Sequence, residues 1–432
     1  MTMSKLIQRA VASMAASSVA LVSAAASAQV ATGGGVDNFS RNRNTSVQQR
    51  QRPAYEAAGI RSGGFLVYPR LEVQVERNDN VYATSANEAD DTIAHIRPEV
   101  SIESDWNQNF LSAYVRGSIN RYADLDGENT DEFGVGSSAR IDVTRGANIG
   151  LGADYTSSFE PRTAPDSPAN AIEPTALHTA QAYISGSRAA GYVKLSGRAD
   201  WRTFDYQDGR TGAGAVIEQD TRDRNVLSVS GRVDFAISPD TAFFAQATGN
   251  GRSYDIASTT TVKNRDSTGA EYLIGANFEV SAGMRGEVAV GYISQDFDEA
   301  VYQDTDGFAA RAQLEWFPTE LTTVTVAGGR SIEDSATPGV GGLLSSNLSI
   351  GLDHELLRNV ILNGRVSWGR DEYEGIDRED TRLGVNLGAT YLINRNLGVN
   401  ASYSLLDTSS EGAQRDNDFT VNRLAVALVA QF

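Results

Sequence analysis

The sequence contains no cysteine among its 432 residues, and this excludes disulfide bonds and thiolate metal sites. Only three histidines are present, His95, His178 and His354, and none stands at a recognisable spacing from a serine nucleophile or a metal-ligand partner. Gly150 and Gly152 lie in a strand pattern and do not form a dinucleotide-binding loop. We therefore expect no enzymatic activity and no cofactor. The formal charge of −18 also argues against a nucleic-acid partner.

Long hydrophobic runs are missing, except close to the N-terminus. Lys5 and Arg9 precede an Ala/Val/Leu-rich run over residues 10–25, which ends in Ala26-Ser27-Ala28. This order predicts a secretory signal peptide over residues 1–28, and hence an exported protein. A membrane anchor is the alternative, but the run is rather short and rich in Ala and Ser. No other segment predicts a transmembrane helix.

Residues 29–62 have too little apolar content to form a core. They contain Gly33-Gly34-Gly35, several Asn and Gln, and five arginines: Arg41, Arg43, Arg50, Arg52 and Arg61. This composition predicts a flexible, basic N-terminal segment in the periplasm, either a tether or a gate in the mouth of a pore. We expect the folded domain to cover residues 63–432.

From residue 64 onward, apolar residues occur at every second position. In one example Leu227, Val229 and Val233 alternate with Ser228, Arg232 and similar polar residues. About eighteen such segments follow one another, each roughly ten residues long, as expected of membrane-spanning strands. The links between them alternate between short turns and long polar loops. The sequence therefore predicts an all-β fold: a transmembrane antiparallel up-and-down β-barrel of about 18 strands, with short periplasmic turns and long extracellular loops.

The chain ends in the sequence RLAVALVAQF. Leu424, Val426, Leu428 and Phe432 share one face of this segment. Taken alone, the pattern also fits a buried strand of a soluble sandwich, but such a fold has no reason to sort its links by length. The pattern resembles the C-terminal signal of bacterial outer-membrane proteins, which predicts recognition by the barrel assembly machinery and contact with outer-membrane lipid.

Alternation also predicts which charged residues face the lumen. The lumen-facing candidates are Arg116, Arg198, Arg232, Arg311, Arg365, Arg382 and Arg423. A wall of arginines would attract carboxylates or phosphates. Alternatively, carboxylates on the same side, such as Asp200, Asp234 and Glu315, pair with them and stiffen the wall. The acidic loops (residues 78–80, 124–128, 296–299 and 371–372) contain no complete calcium-binding loop, so we expect solvated loops and no metal.

Residues 52–122 carry a family resemblance. They contain Arg52-Pro53, Tyr55 and Gly59, a glycine pair before Phe65, and then Tyr68-Pro69. Further along come the sequences NDNVY (residues 78–82), IRP (96–98), SDW (104–106) and RY (121–122). This region resembles the putative β-barrel porin 2 family of Gram-negative bacteria. The resemblance implies an outer-membrane pore that accompanies exopolysaccharide synthesis and works with a periplasmic polysaccharide export protein.

Three functions are compatible with this sequence. The leading hypothesis is a non-enzymatic conduit for exopolysaccharide export in the bacterial outer membrane. A general or nutrient diffusion porin is the first alternative. A structural or adhesive scaffold with a plugged lumen is the second, because a long loop such as residues 159–177 could fold inward.

Overall fold

The structure is a computed structural model, and it describes residues 45–259, 263–280 and 283–432. Eighteen long strands dominate this part of the chain. They are β1 (Phe65–Asn78), β2 (Asp91–Ser104), β3 (Phe110–Tyr122), β4 (Thr130–Thr144), β5 (Ala147–Phe159), β6 (Ala176–Ala190), β7 (Val193–Tyr206), β8 (Arg224–Ser238), β9 (Thr241–Tyr254), β10 (Ser267–Val280), β11 (Met284–Phe297), β12 (Thr305–Thr319), β13 (Thr322–Asp334), β14 (Gly342–Leu357), β15 (Val360–Tyr373), β16 (Glu379–Leu392), β17 (Leu397–Glu411) and β18 (Phe419–Gln431).

Each strand pairs antiparallel with its neighbours in sequence, and β1 pairs with β18 from Arg70↔Gln431 to Asn78↔Arg423. The sheet therefore closes into a barrel, as required of a sheet surrounded by lipid. This confirms the predicted 18-strand all-β barrel. The described residues contain no helix long and apolar enough to cross a membrane.

The links are sorted by length, as predicted. At one end, called here the short-turn end, strands are joined by turns such as residues 145–146 and 239–240. At the other, the long-loop end, the links include residues 160–175 and 207–223. Two links, residues 255–266 and 281–283, lie partly outside the described residues. Five short elements of the described residues lie outside the barrel strands: Ile60–Ser62, the paired Gly209–Arg210 and Val216–Ile217, and two 3₁₀ turns, Asp126–Glu128 and Asp220–Arg222.

The outer face carries exposed apolar side chains on every barrel strand except β13, whose residues are at most half-exposed, and it has aromatic residues near both ends. Near the short-turn end Trp106, Tyr192, Trp316 and Tyr391 are exposed. Tyr373, at the other end of its strand, is buried and donates a hydrogen bond from Oη to Asp380 Oδ2 at 2.9 Å. The belt at the long-loop end instead contains Phe133, Tyr155, Tyr272, Tyr292 and Phe308. This arrangement fits the interfacial aromatic residues of membrane barrels.

The last strand, β18, has one face directed outward and one face directed toward the lumen. Leu424, Val426, Leu428 and Phe432 are exposed on the outside, and the Phe432 N–H donates to the Pro69 carbonyl at 3.1 Å. On the inner face Ala425, Ala427 and Val429 are buried. The C-terminus is therefore built into the seam that closes the barrel, with its alternate apolar residues directed toward lipid.

Candidate functional site

The inner wall of the barrel carries the charged residues, and five of the seven predicted arginines are ion-paired there. The pairs are Arg198–Asp200 (2.6 Å), Arg232–Asp234 (2.8 Å), Arg311–Glu271 (3.3 Å), Arg382–Asp371 and Arg423–Glu76 (3.9 Å). For these five, the interpretation as a neutralised, stiffened wall describes the structure better than an unpaired cationic surface.

Arg232 is the most completely paired of them. Its guanidinium contacts Asp234 and also Glu287, at 2.7 Å, although Glu287 lies three strands away on β11. The same guanidinium stacks 3.6 Å from the centroid of the Phe244 ring. That ring lies flat on Gly275 of the next strand, where an added Cβ would stand 2.5 Å from the Phe244 Cζ. Asp234 is fully buried, so the cluster replaces its hydration with fixed partners.

Arg198 repeats this arrangement on the opposite side of β8. Its guanidinium forks onto both oxygens of Asp200 and lies 3.9 Å from the centroid of the Tyr183 ring. The Tyr183 ring covers Gly152, where a Cβ would be 2.3 Å from the ring. A glycine, a flat ring and an arginine therefore form a stack that holds the charge close to the wall.

Several lumen pairs were not named from the sequence. Arg70 pairs with Glu72 at 2.5 Å, Arg140 with Asp142 at 3.2 Å, and Arg97 from β2 also reaches Glu72, at 2.8 Å. The sequence signal that could have found the first two is Arg-X-Asp/Glu within a strand. Residues two apart lie on the same face of a strand, so this spacing directs both charges into the lumen.

Arg116 and Arg365 differ from the other five. Both are exposed on the inner face, and among the described residues neither has a carboxylate oxygen within 4.0 Å. Arg116 lies 5.3 Å from the centroid of the Tyr114 ring. Among the seven predicted arginines, these two are the ones for which the described residues provide no carboxylate partner.

The 160–175 loop folds inward at the long-loop end. Its residue Arg162 forms a buried fork with Glu128, with atom distances of 2.6 and 3.1 Å. Glu160 forms a second buried fork with Arg222 of the 207–223 loop. Asp166, near the tip, lines a cavity of about 50 Å³ together with inward residues of β8, β9, β13 and β15. The loop therefore narrows the mouth of the lumen.

Two carboxyl groups of the long loops have raised pKa values, and burial is the main cause in both. The pKa of Asp223 is raised to about 6, with neighbouring carboxylates adding to the effect of burial and the Tyr206 N–H opposing it. Burial also raises the pKa of Asp166, although Arg222 favours its charged form. Both groups therefore lose their protons at a higher pH than an ordinary aspartate does.

The N-terminal segment (residues 45–62) occupies the opposite mouth. Its last residues, Ile60–Ser62, pair with the first residues of β1. Followed toward the N-terminus from there, the chain lies along the inside of the wall. The Tyr55 carbonyl accepts a hydrogen bond from Gln431 Nε2 at 3.3 Å, and the Pro53 carbonyl accepts one from Arg395 Nε at 2.9 Å. The segment thus passes β18 and the turn before β17.

The far end of the segment is anchored on β11, β13 and β14. Arg52 forms a buried ion pair with Glu355 at 2.9 Å. Val47 is fully buried, and its N–H donates to Thr323 Oγ1 at 2.9 Å. Gln48 donates to Asp353 at 2.7 Å, and Arg285 of β11 donates to Gln49 Oε1 at 3.0 Å. Residues 45–62 therefore reach across the short-turn mouth. The rest of the predicted segment, and the predicted signal peptide, lie outside the described residues.

The histidines have ordinary polar partners. His95 is buried and its Nδ1 is 2.7 Å from Asn120 Oδ1, while His178 and His354 contact Tyr155 and Thr322 through their Nδ1 atoms. Among the described residues, no group of three or more His, Asp or Glu side chains could hold a metal ion. All three histidines lie within barrel strands, on β2, β6 and β14.

Comparison with known structures returns outer-membrane barrels of low sequence identity. OccAB4 of Acinetobacter baumannii is 11% identical, with a TM-score of 0.47, and the match covers 85% of this chain and 98% of that one. OpdL of Pseudomonas aeruginosa is 12% identical, with a TM-score of 0.43 and coverage of 86% and 100%. A mutant of the ferric enterobactin receptor PfeA of Pseudomonas aeruginosa is 9% identical, with a TM-score of 0.45 and coverage of 85% and 80%.

No curated protein matches the chain. The family resemblance seen in residues 52–122 extends over the whole barrel, because the family model described as putative beta-barrel porin 2 matches residues 52–432. The match begins at Arg52, within the N-terminal segment, and ends at Phe432. The chain therefore belongs to the putative beta-barrel porin 2 family.

Proposed function

We propose that this protein is an outer-membrane conduit for a hydrophilic polymer, an exopolysaccharide, which passes from the periplasm to the cell surface. The observation that carries the proposal is the hydrophilic lumen lining, in which ion pairs such as Arg232–Glu287 and Arg198–Asp200 face inward while the outer face is apolar. At about eighteen strands a barrel is wide enough for an aqueous path.

The choice of a polymer over a small solute rests on what the family resemblance implies. Both mouths are narrowed by segments held through side-chain contacts, the 160–175 loop and the N-terminal segment. Displacing such segments would widen the path for a chain of sugars. In this proposal the short-turn end faces the periplasm, where a polysaccharide export protein would dock, and the barrel assembly machinery inserts the chain.

The second candidate is a diffusion porin for small nutrients. The inward fold of the 160–175 loop favours it, because a loop fixed by two buried Arg–Glu forks would set a size limit. A porin of this kind would work with that loop in place, whereas a polymer conduit needs a wider opening.

Deletion of the gene tests both candidates. For the conduit, we expect polymer to be lost from the cell surface and to accumulate in the periplasm, with uptake of small sugars unchanged. The matched control is complementation with the Arg121→Gln protein, since Arg121 pairs with Asp131 on the exposed rim away from the lumen. Slower uptake of small sugars with normal surface polymer would instead establish the diffusion porin.

A further inference from the structure

The β12–β13 ladder is the shortest in the barrel. It contains seven residue pairs, six from Arg311↔Gly329 to Trp316↔Val324 and then Thr319↔Thr322. Every other ladder between neighbouring barrel strands has at least nine pairs, including the closing ladder between β1 and β18. The seam between β12 and β13 is therefore paired at the short-turn end and open toward the long-loop end.

Both strands continue past the point where their pairing stops. Residues 305–310 of β12 pair only with β11, and residues 330–334 of β13 pair only with β14. At about 3.3 Å per residue the open part of the seam is roughly 15–20 Å long. It starts near Phe308, which belongs to the outward aromatic belt, so it runs from the membrane interface into the loops.

Beyond this point, the β13–β14 hairpin leans over the lumen. Asp334 at the end of β13 contacts Arg252 of β9 at 2.6 Å and Arg224 of β8 at 2.8 Å. Arg252 also donates to the Ile332 carbonyl at 2.8 Å. These contacts join strands four and five positions apart in the barrel, so they form only if β13 bends toward the inside. Arg224 and Arg252 are both buried.

Side chains fill the open seam. The Leu344 Cδ2 stands 3.3 Å from the place where Gly307 of β12 would carry a Cβ, and Leu344 is buried. Arg330 of β13 pairs with Glu372 at 2.8 Å on the outer side. Lipid cannot satisfy unpaired backbone groups, so strand edges near the membrane must be covered or paired. The seam consequently has two favourable arrangements: filled by side chains, as here, or closed by further strand pairing.

We propose that the long-loop end of the β13–β14 hairpin is a gate of the lumen. In the closed state the hairpin leans inward, Asp334 is held by Arg224 and Arg252, and the tip reaches the 160–175 loop, where Asp166 accepts a hydrogen bond from the Ala336 N–H. In the open state the hairpin swings outward and the ladder continues in its existing register. This register would place Ala309 opposite Ser331. The swing separates the hairpin from the 160–175 loop and widens the mouth.

The Asp334→Asn substitution tests the latch, because it removes the charge and keeps the size. Losing one partner of a buried ion pair shifts a two-state equilibrium on the order of 100-fold or more. In planar bilayers we expect the time-averaged conductance of the full-length barrel to rise. The matched control is Asp131→Asn, which removes a carboxylate paired with Arg121 on the exposed outer rim. Equal conductance of wild type, Asp334→Asn and Asp131→Asn would overturn the latch.

A cross-link tests the swing itself, and the native chain offers a cysteine-free background. Oxidation of the Ala309→Cys/Ser331→Cys protein should form a disulfide and hold the pore at high conductance until a reductant is added. Failure of this disulfide to form in a folded, heat-modifiable barrel would overturn the proposal. The gate depends on the proposed conduit, but disulfide formation is read without any conduction. If the disulfide forms but the barrel shows no conductance in either the oxidised or the reduced state, the result would support the swing and count against the conduit.

Discussion

Arg116 and Arg365, the predicted lumen arginines without a carboxylate partner among the described residues, should contribute to the ion preference of the channel. We expect the Arg116→Gln/Arg365→Gln protein to lose anion preference relative to wild type. The five paired arginines are poor probes of this effect, because substituting them also leaves a carboxylate without its partner. Arg116 and Arg365 carry no such carboxylate within ion-pair distance, so their removal changes lumen charge while leaving the wall intact.

The expected magnitude follows from Coulomb's law. For an ion passing about 10 Å from each guanidinium in water, the energy is about 0.4 kcal/mol per arginine. In 0.1 M salt the Debye length is also about 10 Å, which reduces each contribution to about 0.15 kcal/mol. The sign is opposite for anions and cations, so removing both arginines lowers the anion-to-cation permeability ratio about threefold at 0.1 M salt. At 10 mM salt screening weakens, and the change grows to about sevenfold.

The assay is the reversal potential of purified barrels in planar bilayers under a salt gradient, at both ionic strengths. The Arg121→Gln protein is the matched control, since this arginine lies on the exposed outer rim and should leave the ratio unchanged. A ratio that is the same in wild type and the double variant at 10 mM salt would refute the reasoning. It would mean that the inward carboxylates, and not these two arginines, determine the lumen potential.

Three further predictions concern the wall and the two mouths. Arg232→Gln leaves Asp234 buried without its partner, so we expect the free energy of unfolding to fall by about 3 kcal/mol. The measurement is the temperature at which the barrel unfolds in SDS, which should be lower than for wild type, and an unchanged temperature would contradict this. Val47 is fully buried, so a maleimide should label the Val47→Cys protein only when Glu355→Gln releases the N-terminal segment. The control is Ala54→Cys, at an exposed position, which should be labelled with and without Glu355→Gln. Labelling of Val47→Cys in the presence of Glu355 would contradict docking of the segment on the wall. Because the folded pKa of Asp223, about 6, lies above that of an unfolded Asp, its ionisation destabilises the 207–223 loop as pH rises from about 4 to 6. Asp223→Asn should slow hydrogen exchange in this loop at pH 7 and abolish that pH dependence, and exchange identical to wild type at both pH 4 and pH 7 would argue against it.

The barrel was predictable because the side of each strand that faces lipid is indicated by the alternation of apolar and polar residues within that strand. Leu227, Val229 and Val233 alternate with polar residues and are exposed on the outside, as the period-two pattern requires. The strand count and the sorting of the links also follow from such local patterns. Alternation predicts the direction of each lumen arginine in the same way. Pairing was predictable only within a strand, where Asp234 follows Arg232 by two residues.

Contacts between distant strands left no local signal. Glu287 reaches Arg232 from three strands away, and Asp334 reaches Arg252 only because β13 leaves the ladder of β12. Pairing stops at Gly329, the second of two consecutive glycines, which weaken a strand, but nothing within β13 indicates the ion-pair partners of Asp334 on β8 and β9. The inward lean of the hairpin is a balance between lost backbone pairing and gained ion pairs. Such a balance is decided by the whole barrel and not by the sequence of one strand.

Residues 45–62 show how a barrel wall can hold a segment that lacks a core of its own. Its polar and basic residues cannot bury enough apolar surface to fold alone, and on that basis it was expected to be flexible. The barrel wall, however, supplies fixed partners: Glu355 binds Arg52 across 303 residues of sequence, and Thr323 accepts from the Val47 N–H. Because rigid strands already hold these partners in place, ordering costs only the entropy of the segment itself. A basic segment that lacks a core of its own can therefore be ordered by individual carboxylate and hydroxyl groups of the lumen wall, and removing the charge of Glu355 should be enough to release it.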